Sequence, residues 1–281
     1  MGAGDAGSVL VIPPRFAADL AAGRGAAVQL LLDGSDANSA TIAYGYADAI
    51  VDRWSRDAVL QGRSATVPIT VEARTLYNPT LESRNMIVPG LVAVIMMTIA
   101  AMLTALTIAR EWERGTMEQL ASTPATRLEI LIGKLIPYVV IGVVDVAAIV
   151  VAGLVIFGVP FRGSVVVFFL QTVLFLVGAL GLGVFISAAA KSQFLATQIA
   201  LIATLLPAML LSGFLFEIAA MPRALQLISF AVPARYYVVV TRGIMLKGVG
   251  PSVLWVQSAF MVAFAAAGLL LALRSFRKEV A

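Results

Sequence analysis

Charge that could do chemistry is concentrated in two places. One is the run Arg110-Glu111-Trp112-Glu113-Arg114-Gly115-Thr116-Met117-Glu118, dense in carboxylates and guanidiniums. The other is Asp145, the one charged residue between Leu135 and Phe161. The chain has no histidine and no cysteine, which excludes Ser-His-Asp and Cys-His nucleophilic centres, histidine general bases and metal ligands, and disulfides. Nucleotide hydrolysis needs a phosphate-cradling loop, GxxxxGK followed by a hydroxyl residue. Gly133-Lys134-Leu135 has neither the upstream glycine nor the hydroxyl. No second acid lies in an apolar run to pair with Asp145, so an intramembrane carboxylate pair is excluded as well. The reading is therefore a protein that is not an enzyme, with no metal site. Asp145 itself has two readings. It is a polar point in a substrate or proton path, or it makes a packing hydrogen bond to a hydroxyl such as that of Thr104 or Ser187. A central Asp costs roughly 2.5–3.5 kcal/mol on insertion scales, so it must face protein or water.

The elements that carry these residues follow from composition. Of 281 residues, 60% are hydrophobic and 13% charged, with a mean hydropathy of +0.95. A soluble domain is nearer ~25% charged, so the fold class is membrane α-helical. The net charge of +4 is small and no basic tract points to nucleic acid. A bilayer core needs about 20 apolar helical residues, and five runs meet that: Asn85 to Ala109, Leu135 to Phe157, Ser164 to Ala190, Ser192 to Phe216, and Pro251 to Leu273. Basic residues set the orientation. Arg110, Arg114, Arg127, Lys134, Lys191, Arg274, Arg277 and Lys278 flank one side more tightly than Arg84, Arg162, Arg223, Arg235, Arg242 and Lys247 flank the other. The first side is read as cytoplasmic, which places the N-terminal region outside and the C-terminus in the cytoplasm.

Residues 1–84 read as a small extracytoplasmic α/β domain, and 85–281 as the transmembrane domain. In the former, a buried strand at Ser8–Ile12, a helix at Arg15–Ala22, a strand at Ala26–Leu32, a helix at Asn38–Leu60 and a strand at Thr66–Tyr77 alternate. Ile42, Tyr46, Ala49, Ile50 and Trp54 mark the helical face. Met1 to Gly7 has no leader character, so the sequence reads as N-terminally truncated or given a misassigned start. In the membrane half, residues 110–123 form a modest amphipathic helix lying in the interface, ended by Pro124. Residues 217–250 are semi-apolar and too interrupted to span; they are either two short helices dipping into the outer leaflet or an ordinary external loop. Ala179, Gly183 and Ser187 repeat every four residues, a small-residue stripe for close helix contact within the chain or between two copies. Phe214, Phe216 and Met221 form an apolar gate, or are ordinary packed or lipid-facing side chains.

Several segments in order carry a resemblance: Tyr77-Asn78-Pro79 to Val88-Pro89-Gly90; Glu111-Trp112-Glu113-Arg114-Gly115-Thr116-Met117-Glu118-Gln119-Leu120 with Thr123-Pro124; Gly133-Lys134-Leu135-Ile136-Pro137-Tyr138; the Phe157 to Ser164 turn; and Leu211-Ser212-Gly213-Phe214 with Met221-Pro222. Together they resemble the membrane permease subunit of type 2 ABC exporters, which include multidrug, polysaccharide and lipid exporters of the bacterial inner membrane. The resemblance implies a permease dimer, homo- or heterodimeric, with ATP and Mg held by a separate ATPase chain. It implies that Glu111, Trp112, Glu113, Arg114, Gly115, Thr116 and Glu118 belong to a coupling helix that docks on that ATPase. The family has six spans where five are legible here, and often has proline where this chain has Glu217. The alternative reading is an ATP-independent channel or secondary transporter, which would need more intramembrane polar residues than one Asp.

Overall fold

The computed structural model describes residues 6–22, 26–60, 69–116, 119, 124, 126–190 and 192–275. The chain divides into two compact units, Met1–Met86 and Ile87–Ala281.

In the first unit, β1 (Ser8–Val11), β2 (Ala27–Asp33) and β3 (Thr70–Leu76) form one sheet in the order β1-β2-β3. β1 pairs antiparallel with β2, Ser8 opposite Leu32, and β3 runs parallel to β2, Ala27 opposite Thr70. The parallel pair requires a crossover, which α2 (Ala37–Leu60) supplies; α1 (Phe16–Ala21) links the antiparallel pair. The alternation of strands and helices is as expected from sequence, but the expectation of a buried β1 is corrected. β1 is exposed along its whole length, whereas β2 buries Val28, Leu30 and Leu32. On α2 the larger apolar residues Ile42, Tyr46, Ile50 and Trp54 face outward, because the helix lays its alanines, Ala40, Ala43 and Ala47, against the sheet. The short side chains allow close approach.

Asn78 organises the end of this unit. Its side-chain amide donates to the Glu82 carbonyl at 3.0 Å, and its Oδ1 accepts from the Glu82 amide at 3.2 Å and from Asn85 Nδ2 at 2.9 Å. These bonds fold the Tyr77-Asn78-Pro79 turn, with Tyr77 in the left-handed region, into the start of the next helix.

The second unit is helical: α3 (Ser83–Glu113), α4 (Arg127–Val155), α5 (Val165–Ala190), α6 (Gln193–Leu211), α7 (Arg223–Ser229), α8 (Pro233–Arg242) and α9 (Trp255–Ser275). α3, α4, α5, α6 and α9 are long and apolar enough to cross a membrane. α8 continues into a π-helical turn, Gly243–Lys247, and is bent by 81° against α7. Residues 223–247 thus hold a bent helical pair. The core centres on α5, whose Phe168, Phe175, Leu176, Ala179, Leu180 and Val184 are buried. Two glycine contacts set how closely its neighbours approach. A Cβ at Gly183 would overlap Thr104 Oγ1 and the Ala101 carbonyl of α3, and one at Gly181 would overlap the Gly268 backbone of α9. Gly183 thus belongs to a seam within the chain.

Candidate functional site

At one end of the bundle, the charged run is built into helix ends. α3 does not stop at Ala109. It continues through Arg110, Glu111 and Trp112 to Glu113 and breaks at Arg114-Gly115, where Gly115 takes the left-handed conformation (φ 69°) that glycine tolerates best. The expectation of one surface helix over 110–123 is corrected on this point. Its first turn is the last turn of the first span, and a helical conformation resumes only at Thr116 and Gln119. Glu118 and Ala121 to Thr123 lie outside the described residues.

The continuation is stable because its charges have partners. Glu111 forms an ion pair with Lys134 of α4, the two side chains being 24% and 16% exposed. Glu113 reaches α6, where its carboxylate accepts from the Gln193 backbone N–H at 2.7 Å and from the Gln193 side-chain amide. The first N–H groups of α6 lack intrahelical acceptors, and the side chain of Ser192 makes no capping bond. Glu113 therefore acts as a cap supplied by another helix, favoured also by the helix dipole. Arg110 Nε donates to Gln193 Oε1 at 3.4 Å. α4 opens on a capping box, with the Thr126 N–H donating to Glu129 Oε2 at 2.7 Å and the Glu129 N–H to Thr126 Oγ1 at 3.3 Å. Trp112 is half-buried against the core, and Thr116 Oγ1 donates to the Glu111 carbonyl at 3.4 Å. Arg114 is exposed, without a polar side-chain partner among the described residues. Of the proposed coupling residues, then, Glu111 and Glu113 are committed inside the chain and Arg114 faces outward. The partners Lys134 and Gln193 were not singled out from sequence as partners; only the contact between helix ends reveals them.

At the other end, α8 is tied to three neighbours. Arg242, 9% exposed, donates to the carbonyls of Gly213 (3.2 Å) and Phe214 (3.3 Å), just past the end of α6. Thr241 Oγ1 donates to the Pro89 carbonyl of α3 at 3.0 Å. The Tyr237 hydroxyl pairs with Thr172 Oγ1 of α5 at 2.7 Å, and its ring stacks on Phe175 with centroids 4.1 Å apart. The Arg162 N–H donates to the Met245 carbonyl at 3.0 Å, closing the α4–α5 turn onto the π-helical turn. By position Arg242 counts among the flanking charges; its apolar neighbours in sequence, Val238 to Met245, are the signal that it is buried.

The proposed gate residues do not form one cluster. Phe214 is in the core, its ring against Gly90 of α3, whereas Phe216 is exposed and Met221 lies outside the packed core. The packing reading of Asp145 is corrected too. Thr104 Oγ1 donates to the carbonyls of Ala100 and Leu180, and Ser187 Oγ is buried without a partner among the described residues. Neither meets Asp145, which is half-buried on α4 with no hydrogen-bond or ion-pair partner among the described residues. Among the described residues no group of three or more acidic side chains could hold a metal.

The family model described as ABC-2 family transporter protein matches residues 1–274. The chain belongs to the ABC-2 transporter family. Among relatives, it is 41% identical over 267 residues to a protein of Escherichia coli named "Probable multidrug ABC transporter permease YbhS", covering 94% of this chain and 71% of the relative. It is 32% identical over 243 residues to a second E. coli protein, "Probable multidrug ABC transporter permease YbhR", covering 86% of this chain and 66% of the relative. It is 31% identical over 275 residues to "Inner membrane transport permease YhhJ" of the same organism, covering 96% and 72%. This ABC-2 chain is thus a multi-pass membrane protein and an ABC transporter permease subunit, a component of membrane transport.

Proposed function

We propose that this permease subunit exports a hydrophobic or amphipathic substrate across the bacterial inner membrane, driven by an ATPase on a separate chain that grips the α3–α4 end. The substrate would be a drug, lipid or glycan. The observation that carries the proposal is the construction of that end. The Glu111–Lys134 pair and the Glu113 cap join α3, α4 and α6 into one polar platform, from which Arg114 projects with no polar side-chain partner among the described residues. A force applied at Arg114-Gly115-Thr116 would reach three spans at once, because each is anchored to the same few side chains. The ATPase would supply ATP and Mg, and the permease would work as a homo- or heterodimer with the N-terminal unit outside and the C-terminus in the cytoplasm. Names of relatives support the multidrug class.

The test is an ATPase assay of the permease reconstituted in vesicles with its co-expressed phosphate-loop ATPase. Arg114→Glu should leave membrane insertion intact and lower transport per ATP hydrolysed about fivefold or more, as expected for loss of a charge-assisted contact. Unchanged coupling removes the role of Arg114.

A further inference from the structure

We infer that the α7–α8 bend carries a recognition point for an amphipathic organic anion, with Arg235 contacting the negative group and an aromatic groove holding the apolar body. This rests on the exporter reading and narrows its substrate class.

Arg235, in the first turn of α8, is half-buried and has no carboxylate partner among the described residues. Its guanidinium lies 4.1 Å from the Phe230 ring centroid and 6.0 Å from that of Tyr236. One nitrogen, Nη1, donates to Ser229 Oγ at 2.5 Å, while that hydroxyl donates in turn to the Gln226 carbonyl at 2.7 Å. The serine therefore orients the fork rather than neutralising it. A guanidinium has five N–H donors, so most of them remain for a ligand.

The two rings it packs on, Phe230 and Tyr236, also line a groove of about 240 Å³, with Pro233, Phe260 and Phe264 among its other walls. Tyr236 stacks on Phe260 with centroids 4.1 Å apart, which fixes one wall. Along α9 the lining runs from Phe260 to Ala267, about 8–18 Å from the start of that helix at 1.5 Å per residue. A guanidinium with no carboxylate partner among the described residues is unfavourable in hydrocarbon and marks an interior or water-filled path. A solute that brings its own anion and an apolar body satisfies both the cation and the groove. The α8 N-terminus adds a dipole of the same sign as Arg235.

The test uses the 281-residue chain in phosphatidylcholine nanodiscs, titrated with 1-anilinonaphthalene-8-sulfonate and with the neutral N-phenyl-1-naphthylamine, each corrected for empty nanodiscs. Arg235→Gln should weaken the sulfonate about tenfold and leave the neutral probe within about twofold, and Arg235→Lys should retain most of the sulfonate affinity. Phe264→Ala should weaken both probes. Equal affinities of wild type and Arg235→Gln for the sulfonate overturn the inference. So does phosphatidylglycerol in the nanodisc reducing sulfonate binding to the Arg235→Gln level, which makes the groove a lipid site. Binding needs neither ATPase nor turnover. Selective binding without coupled transport would fail the exporter reading alone, and unselective binding with intact coupling would fail this inference alone.

Discussion

Lys134 and Glu111, at 16% and 24% side-chain exposure, are sheltered enough that each depends on the other. Removing one partner leaves a charge partly cut off from water, a loss of about 1–2 kcal/mol once the remaining exposure is allowed for. Thermal unfolding in detergent should therefore show Lys134→Glu less stable than wild type, and the exchanged pair Glu111→Lys with Lys134→Glu should recover part of the loss; no recovery would show that the pair is incidental. Arg242 is the complementary case at the other end. Arg242→Leu leaves the Gly213 and Phe214 carbonyls without a donor, at about 1–3 kcal/mol for buried groups. Protease sensitivity near residues 213–217 should rise, and unchanged sensitivity would count against the role. Asp145 needs a different experiment, since among the described residues it has no hydrogen-bond or ion-pair partner whose loss could be measured. Asp145→Asn should insert more readily, and an export defect with a changed pH response would assign it to the substrate or proton path; full export with wild-type pH response would exclude that role.

At the scale of elements, the spans were legible because lipid demands a long apolar run, and each observed helix overlaps an expected one. Their ends were less so. The apolar criterion stops the first span at Ala109, yet α3 runs to Glu113 because Lys134 and Gln193 supply partners for its charges, and such partners lie far along the chain. The fourth span was read to Phe216, but α6 ends at Leu211 and Gly213 turns the chain with φ 78°. In the first unit, helical spacing of Ile42, Tyr46, Ile50 and Trp54 located α2, but spacing does not say which face is buried: the alanines pack on the sheet and these larger residues face outward. The small-residue stripe was visible in sequence; which helix it met was not. Gly183→Val would drive a side chain into the Ala101 carbonyl, a backbone atom with little room to shift. Overpacking of this kind costs about 1–3 kcal/mol or more. The expected outcome is loss of monodisperse protein on size-exclusion chromatography in detergent, and normal yield would place the seam elsewhere.

At the scale of the whole molecule, polar chemistry lies at the two ends of an apolar bundle, and the long helices join them. The α3–α4 end holds α3, α4 and α6 through Lys134 and Gln193, and the α8 end holds α3, α5 and α6 through Thr241, Tyr237 and Arg242. α3 and α6 take part in both, so displacement at the charged end has a direct route to the bent pair. On the proposed function, the charged end is where a motor binds. The described residues contain no cysteine, and neither does the full sequence, so Thr116→Cys carrying a maleimide cross-linker reports on that end alone. In inside-out vesicles with the co-expressed phosphate-loop ATPase, the account predicts a cross-link between the two chains, weakened by Arg114→Glu. Labelling of Thr116→Cys only from the outer face, with no cross-link to the ATPase, would contradict it.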